Sequence, residues 1–247
     1  MTAVLYAIPA SHPCAAVERA LQLKGVAYRR VDMIPVVHRL PQRLRFGAVS
    51  VPGVAFDDGE RALGSRRIVR ALEQRVADPP LLPADKELRA RVERAEEWGE
   101  QVLQPLVRRV IWAALRRAPR AMRSYSDGVR LPVPRPLRTL VAPPLALAAG
   151  WLNDADDASV RADLIALSTH LDRVDRWIAD GTLGAARPNA ADLQIGASLR
   201  LLVTVEDVRP RVDERPAGTL ARRWFPSFPG QAPAGTLPAD WPSTGAA

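Results

Sequence analysis

The chain opens with a strand signal that passes directly into a helix start, and this order constrains the fold more than any other feature. The apolar run at residues 4–8 stops at Pro9, and a helical pattern starts at Pro13, a residue favoured in the first turn of a helix. A second strand candidate, residues 27–33, follows the helix after Gly25, with Val26, Tyr28 and Val31 as its apolar members. Strand, helix and strand in this order are typical of a parallel βαβ unit.

Ser11 lies in the turn between the first predicted strand and the first predicted helix. It is therefore placed beside the free N–H groups of a helix N-terminus, which attract anions, including a thiolate. The same serine would also serve as an ordinary helix cap. The turn taken alone leaves both interpretations open.

A β-hairpin is predicted next, over residues 50–63. Residues 50–56 form a strand candidate that carries Val51-Pro52, residues 57–60 read Asp-Asp-Gly-Glu, and residues 61–63 return as a short strand. Ser65 is then placed to cap a helix that runs through about residue 75. With the βαβ unit, this pattern predicts an α/β domain over residues 1–76.

The rest of the chain reads as helical. Residues 77–84 are rich in proline and are predicted to be a linker. Helical spacing marks residues 85–115, with an interruption near Pro105, residues 159–180, and a segment starting at Asn189. Residues 116–150 are predicted to be a loop or broken helices. We therefore expect an all-helical domain over residues 85–223 and an extended Pro/Gly-rich tail over residues 224–247.

The formal net charge is +8, and the excess is concentrated in residues 105–140, where Asp127 is the one acidic residue. Either a solvated helix face and loop or the attraction of an anionic ligand or partner would explain such a segment. No recognition motif accompanies the arginines, so nucleic-acid binding is not predicted. The arginines of this segment are Arg108, Arg109, Arg116, Arg117, Arg120, Arg123, Arg130, Arg135 and Arg138.

Cellular location is indicated by cysteine usage and by apolar segments. The single cysteine, Cys14, excludes an internal disulfide and suits a reducing compartment. The N-terminus lacks the charged and apolar regions of a signal peptide. Residues 137–152 are too short for a membrane span and contain Pro143-Pro144. These features predict a cytoplasmic protein without membrane association.

Taken together, the motifs of the first domain resemble those of the cytosolic glutathione transferases. Ser11-x-Pro13-Cys14-x-x-Val17 is similar to the Ser-x-Pro-Cys-Arg-x-Val signature of serine-type members, with Ala15 where arginine is usual. Val51-Pro52 matches the family's Val-Pro before the third strand. The resemblance implies a thioredoxin-like α/β N-terminal domain followed by an all-α helical-bundle C-terminal domain.

Two further motifs continue the resemblance. Leu63-Gly64-Ser65-x-x-Ile68 matches Leu-x-Glu-Ser-x-x-Ile, except that Gly64 replaces the glutamate. Asn189-x-x-Asp192 resembles the family's capping box in the helical domain, and we expect Asp192 to be structural. The resemblance is detailed over residues 1–76, looser over residues 84–205 and absent from the tail.

The resemblance also implies site roles. Ser11 would donate its hydroxyl to the sulfur of glutathione, and Pro52 would be cis, turning the Val51 backbone towards the peptide ligand. Ser65 would bind the γ-glutamyl carboxylate beside Gly64, where the usual acidic contact is missing. Ser65 as a simple cap and Pro52 as an edge-strand proline without a ligand role are the alternatives.

Other residues near Ser11 have two interpretations each. Cys14 is expected to be a buried packing residue, with a nucleophilic role as the alternative. His12 is expected to be an exposed loop residue rather than a base. Trp112 would either belong to the core, as expected for Trp98, Trp151 and Trp177, or line an acceptor pocket.

The function implied is that of a glutathione S-transferase-like detoxification enzyme. A glutathione thiolate held by Ser11 would attack an electrophilic small molecule, or add to a double bond and leave again in an isomerisation. Glutathione would be the co-substrate, no metal is expected, and the protein would be a homodimer. A non-catalytic binding or assembly protein of the same fold is the alternative, and Gly64 and Ala15 favour it. An enzyme that uses a different low-molecular-weight thiol is a further alternative, favoured by Gly64.

Overall fold

A small mixed sheet organises the N-terminal part of the chain. The computed structural model describes residues 1–127, 129, 131 and 134–243. The strands β1 (Thr2–Ala7), β2 (Ala27–Asp32), β3 (Gly53–Phe56) and β4 (Arg61–Leu63) pair in the order β2-β1-β3-β4. β1 is parallel to β2, whereas β1 with β3 and β3 with β4 are antiparallel. The βαβ unit and the hairpin predicted from the sequence are both confirmed.

Three helices accompany this sheet. Helix α1 (His12–Leu23) has Pro13 in its first turn and buries Val17, Ala20 and Leu21 against the sheet. The uncertain segment after β2 forms a short helix, α2 (Arg39–Phe46). Helix α3 (Ser65–Arg75) follows the hairpin and buries its apolar face, including Ile68 and Leu72.

The second part of the chain is helical. Its elements are α4 (Lys86–Trp98), α5 (Gln104–Arg117), α6 (Arg135–Leu152), α7 (Asp157–Ala179), α8 (Ala190–Leu202), α9 (Arg209–Asp213), α10 (Pro216–Trp224) and α11 (Asp240–Ser243). Helix α8 lies at the centre, packed against α1, α4, α5 and α10. The predicted capping box is present at its start, where Asn189 and Asp192 each accept the other's backbone N–H. The thioredoxin-like domain and the all-helical domain agree with the predicted fold class.

The segment between the two parts is held in place by specific bonds. Between α3 and α4 the backbone of Leu81 accepts a hydrogen bond from the Ala190 N–H and donates to Glu73. Leu81 and Leu82 are buried. Lys24 is buried too, pairs with Glu73 and donates to the carbonyl of Val76. The proline-rich connection is therefore anchored to both halves of the core.

The structure corrects several details of the helical prediction. Residues predicted as irregular contain a short 3₁₀-helix (Pro119–Ser126) and the whole of α6, which carries Pro143-Pro144 inside it. The interruption near Pro105 is a π-helical turn, Gly99–Leu103, between α4 and α5. Trp151 was expected in the core, but it is 80% exposed on α6.

The tail runs as an extended strap from α10 to α11. Ala232 donates to the carbonyl of Thr204 and accepts from the N–H of Glu206, each at about 3 Å, which ties the strap to the end of α8. Residues 244–247 of the predicted tail lie outside the described residues. No helix in the described part of the chain is long and apolar enough to cross a membrane.

Candidate functional site

Ser11 occupies the N-cap position of α1, immediately after the turn that leaves β1. Its backbone has φ −75° and ψ 118°, and its carbonyl accepts the first helical hydrogen bond, from Ala15. Its side chain makes no capping hydrogen bond to the helix. The hydroxyl is therefore not engaged as an ordinary helix cap and is available to donate a hydrogen bond to another acceptor.

Cys14 lies on α1, three residues after Ser11, and is completely buried. Burial raises the pKa of the Cys14 thiol to about 11. The thiol therefore stays protonated at neutral pH, so Cys14 is a packing residue and a poor nucleophile in this environment.

His12 differs from its predicted exposed position. It is 2% exposed, and its Nδ1 lies 2.9 Å from the Ser198 hydroxyl on α8. Ser198 donates its own proton to the carbonyl of Gln194, so Nδ1–H is the donor and Nε2 carries the lone pair. Nε2 is buried without a partner among the described residues. Burial, and next the charge of Arg108, lower the pKa of His12 well below its usual value, so the ring is neutral.

The sequence contained a signal for this burial. His12 shares a helical face with Ala16 and Ala20, both buried, because residues four apart lie on one side of a helix. Its hydrogen bond to Ser198 joins the N-terminal domain to the central helix of the second domain. His12 is therefore a contact between the two domains, not a loop residue.

A cavity of about 510 Å³ opens between the two domains and is lined by Ser11. One side, here called the N-terminal wall, consists of residues 8–13, 34–39 and 49–51. The opposite side, here called the helical wall, consists of cavity-lining residues 108–126 from α5 and the 3₁₀-helix, with α6. The cavity brings together Ser11, His12, Val51 and the half-buried Trp112. Trp112 thus lies where an acceptor would be held.

Helix α6 provides cavity residues that the sequence analysis missed. Arg138, Val141, Ala142, Leu145, Ala149 and Leu152 all line the cavity. Their spacings of three and four residues are the usual sign of one helical face. The adjacent Pro143-Pro144 suggested a break, and this outweighed the periodicity.

Val51 and Pro52 form the edge of the N-terminal wall. The bond between them is cis, as the resemblance implies. The Val51 N–H and C=O have no backbone hydrogen-bond partner among the described residues. A backbone with a free donor and a free acceptor can pair with an extended peptide, in the manner of an added strand.

Gly64 and Ser65 lie at the start of α3, next to this edge but outside the cavity lining. The Gly64 N–H donates to the Pro52 carbonyl at 2.9 Å. Gly64, not Ser65, is the N-cap residue, and the predicted capping by Ser65 is therefore wrong. Ser65 is the first helical residue and is buried, and its hydroxyl makes no capping bond.

The backbone at Gly64 explains why glycine suits this position. Its φ of +89° lies in the region that side-chain-bearing residues rarely adopt, although no atom would touch an added Cβ. The constraint is thus conformational and not steric. A glutamate here would have to adopt the same strained backbone.

Asp192 is structural in its contacts. It is buried and accepts hydrogen bonds from the N–H groups of Gly184 and Asn189, at 2.8 and 2.9 Å. Burial raises the pKa of its carboxyl to about 6. Asp192 does not line the cavity. It stabilises the start of α8, on which Ser198 lies.

Two residues of the N-terminal wall have unusual backbone angles. Ala10 has φ +53° and Val36 has φ +67°, and both line the cavity. A β-branched residue with positive φ is a genuine outlier, since its Cβ crowds the backbone. Such strain is concentrated at functional sites. It therefore marks the N-terminal wall as a candidate site independently of any motif.

The arginine-rich segment divides into two groups. Arg108, Arg120, Arg123 and Arg138 line the cavity. Arg109 pairs with Asp163 on α7, and Arg116 and Arg117 pair with Asp157. Arg130 lies outside the described residues, as does the side chain of Arg135. The segment therefore contributes arginines both to the cavity lining and to ion pairs with α7.

Comparisons with known proteins agree with the fold. Residues 5–80 match the profile of the glutathione S-transferase N-terminal domain. A glutathione S-transferase from Rhodospirillum rubrum F11 is similar in structure, with a TM-score of 0.60 at 18% identity over 96% of this chain and 99% of that chain. One from Methylobacterium radiotolerans, in complex with glutathione sulfonate, has a TM-score of 0.59 at 19% identity, with the same coverage.

A third similar structure is an isomerase. The maleylacetoacetate isomerase from Anaeromyxobacter dehalogenans 2CP-1, with bound dicarboxyethyl glutathione and citrate, has a TM-score of 0.55 at 21% identity. The match covers 92% of this chain and 91% of that one. No curated protein matches the chain.

Proposed function

We propose that this chain, whose residues 5–80 match the glutathione S-transferase N-terminal domain, is a glutathione-dependent transferase in which Ser11 stabilises the thiolate. The observation that carries the proposal is the Ser11 side chain, which does not cap its helix yet lies at a helix N-terminus on the cavity wall. An acceptor in the cavity would face the helical wall and Trp112.

The proposed role of Ser11 is to lower the pKa of the glutathione thiol. A free thiol with a pKa of about 8.5 is only about 3% ionised at pH 7. A hydroxyl donor and the partial positive charge of the α1 N-terminus would together stabilise the thiolate by roughly 1.4–2.7 kcal/mol, which lowers the pKa by one to two units. Thiolate then becomes a large fraction of the bound glutathione. The serine itself stays protonated.

The remaining contacts to glutathione are proposed from the N-terminal wall. The free Val51 N–H and C=O would pair with the cysteinyl part of the peptide. Ser65 and the N-terminus of α3 would receive the γ-glutamyl carboxylate. The Gly64 N–H to Pro52 hydrogen bond holds these two subsites together.

Isomerisation is a second reaction that the same groups support. A thiolate that adds to a carbon–carbon double bond and later leaves allows rotation in between. The similarity to the Anaeromyxobacter isomerase favours testing this reaction. A homodimer also remains part of the proposal, and light scattering of the purified protein tests it.

The alternative function is a non-catalytic member that binds glutathione or another thiol. Gly64 favours it, because glycine cannot provide the acidic contact implied at that position. Calorimetric titration with glutathione separates the two: binding without turnover over a broad acceptor panel supports the alternative. No binding of glutathione would point to a different thiol.

The test of the proposed function compares Ser11→Ala with Ser126→Ala. Both serines line the cavity, but the Ser126 hydroxyl donates to the Arg123 carbonyl, away from the α1 N-terminus. We expect Ser11→Ala to lower kcat/KM for conjugation of glutathione to an aryl halide about 10- to 100-fold at pH 7. Ser126→Ala should retain wild-type activity. Equal activity of Ser11→Ala and wild type would contradict the proposal.

A further inference from the structure

The described lining of the cavity combines an apolar surface with positively charged side chains and contains no acidic residue. Ile111, Trp112, Leu115 and Met122 supply part of its apolar lining. The charged side chains among its described lining residues are all arginines: Arg39, Arg108, Arg120, Arg123 and Arg138. An uncharged aromatic ligand would use the apolar part alone, so the arginines need a different explanation.

Arg108 differs from its neighbour Arg109 in making no ion pair with the described residues. Arg109 makes two hydrogen bonds to Asp163, at 2.5 and 2.7 Å. Arg108 is half-buried, and within the described part of the chain its guanidinium makes no ion pair or hydrogen bond. A guanidinium taken partly out of water without a partner costs free energy. A bound anion would remove that cost.

Arg108 and His12, the residue that follows Ser11, both line the cavity. Arg108 lies within electrostatic reach of His12, because its charge lowers the pKa of the His12 ring, after the larger effect of burial. Since His12 is neutral, it adds no second positive charge there.

We propose that this cavity binds amphipathic monoanions, with the anionic oxygens on Arg108 and the apolar body against Ile111 and Trp112. A carboxylate fits the planar fork of arginine, which donates two parallel hydrogen bonds. Arg39, Arg120 and Arg123 are exposed at the rim and attract the anion before it binds. If the proposed function holds, the electrophilic acceptor is such an amphipathic acid; this part rests on the proposed function.

The first test measures binding alone and does not need catalysis. Anilinonaphthalene sulfonate is an amphipathic anion whose fluorescence reports binding, and N-phenylnaphthylamine is its uncharged counterpart. We expect Arg108→Gln to weaken binding of the sulfonate about 10- to 100-fold while leaving the amine within about 2-fold. Arg116→Gln is the matched control on the same helix, because Arg116 pairs with Asp157 and does not line the cavity. Arg116→Gln should change the binding of neither the sulfonate nor the amine.

Two outcomes of this test would overturn the inference. Equal weakening of both probes by Arg108→Gln would show a loss of packing, and no weakening of either would show that Arg108 contacts no anion. Arg108→Lys keeps the charge but not the fork, and it replaces Arg108→Gln if that variant does not fold. We expect it to bind the sulfonate more tightly than Arg108→Gln does.

The second test uses turnover and separates the inference from the proposed function. Chloronitrobenzoate and the corresponding chloronitrobenzamide react with glutathione by the same substitution: a sulfur–carbon bond forms, and chloride leaves with the bonding electron pair. After division by the uncatalysed rates, we expect wild type to prefer the acid about 10-fold or more and Arg108→Gln to lose that preference. Loss of turnover with both compounds in Ser11→Ala would report on activation of the glutathione thiol and not on binding of the acceptor. A wild-type preference for the amide contradicts the anion site.

Discussion

The groups proposed to bind the two ligands differ between the N-terminal wall and the helical wall of the cavity. On the N-terminal wall, the groups proposed for the thiol lie on or next to the backbone: the Ser11 hydroxyl and the Val51 N–H and C=O. On the helical wall, the group proposed for the acceptor is the long side chain of Arg108 on α5. A backbone site is fixed by the fold, whereas a side-chain site can change by single substitutions.

This difference fits a division of roles between one constant and one variable ligand. The peptide thiol would be recognised by backbone geometry at β1, the Val51 edge and the start of α3. The acceptor would be recognised by side chains that the helical wall can exchange. Variants of one wall should therefore leave recognition by the other wall unchanged.

The largest effect outside the two proposals is expected from His12, which joins the N-terminal domain to helix α8. Its pKa is lowered by burial, so the unfolded chain takes up a proton below pH 6.5 while the folded protein does not. Stability is thus fully present above about pH 6.5 and falls as the pH drops, by about 1.4 kcal/mol per pH unit for one group. His12→Asn keeps a donor for Ser198 but cannot titrate.

The measurement for His12 is the free energy of urea unfolding between pH 5 and pH 7. We expect the slope with pH to be smaller in His12→Asn than in wild type. His170→Asn is the comparison variant. Burial lowers the pKa of His170 as well, but His170 is less buried than His12, so its replacement should change the slope less. A His12→Asn slope equal to that of wild type would show that His12 is protonated in the folded protein.

A smaller effect is expected at Gly64, which tests the N-terminal wall. Gly64→Ala must adopt φ +89°, which should cost about 1–2 kcal/mol of stability. Gly59→Ala is a matched control, since Gly59 has the same φ in the hairpin turn and its Cβ would also meet no atom. Both variants should lose similar stability by thermal unfolding, but only Gly64→Ala should raise KM for glutathione.

Equal KM values for the two glycine variants would contradict the position of glutathione at the start of α3. An unchanged preference for acidic acceptors in Gly64→Ala would support the separation of the walls. Acceptor preference is therefore measured on the same samples.

The smallest effect is expected at the rim. Arg120 is exposed and lines the cavity mouth, so Arg120→Gln should raise KM for an acidic acceptor less than about 3-fold. The difference from wild type should disappear at high salt, because exposed charges are screened. A difference that persists in high salt would indicate that Arg120 makes a direct, buried contact with the anion.

The sequence was sufficient where local patterns decide the structure. The βαβ unit follows from apolar runs around Pro13, the hairpin from Asp58-Gly59, and the start of α8 from Asn189 and Asp192. Ser11 was placed in its turn for the same reason. Each of these depends on residues close together in the chain.

The sequence was insufficient where distant residues decide. His12 is buried because Ser198, far along the chain, lies against it. Arg108 and Arg109 are adjacent and chemically identical, and only the position of Asp163 on α7 separates their roles. Helix α6 was not predicted because its two prolines outweighed its helical periodicity. The part of the cavity that α6 lines was therefore not predicted either.

The measurement that most directly tests the account is the pKa of the thiol of bound glutathione, read from thiolate absorbance in a pH titration. We predict a pKa about one to two units below the free value of about 8.5 in wild type, and a return to within about half a unit of it in Ser11→Ala. Ser126→Ala should match wild type. The same depressed pKa in Ser11→Ala and wild type would contradict the claim that Ser11 stabilises the thiolate.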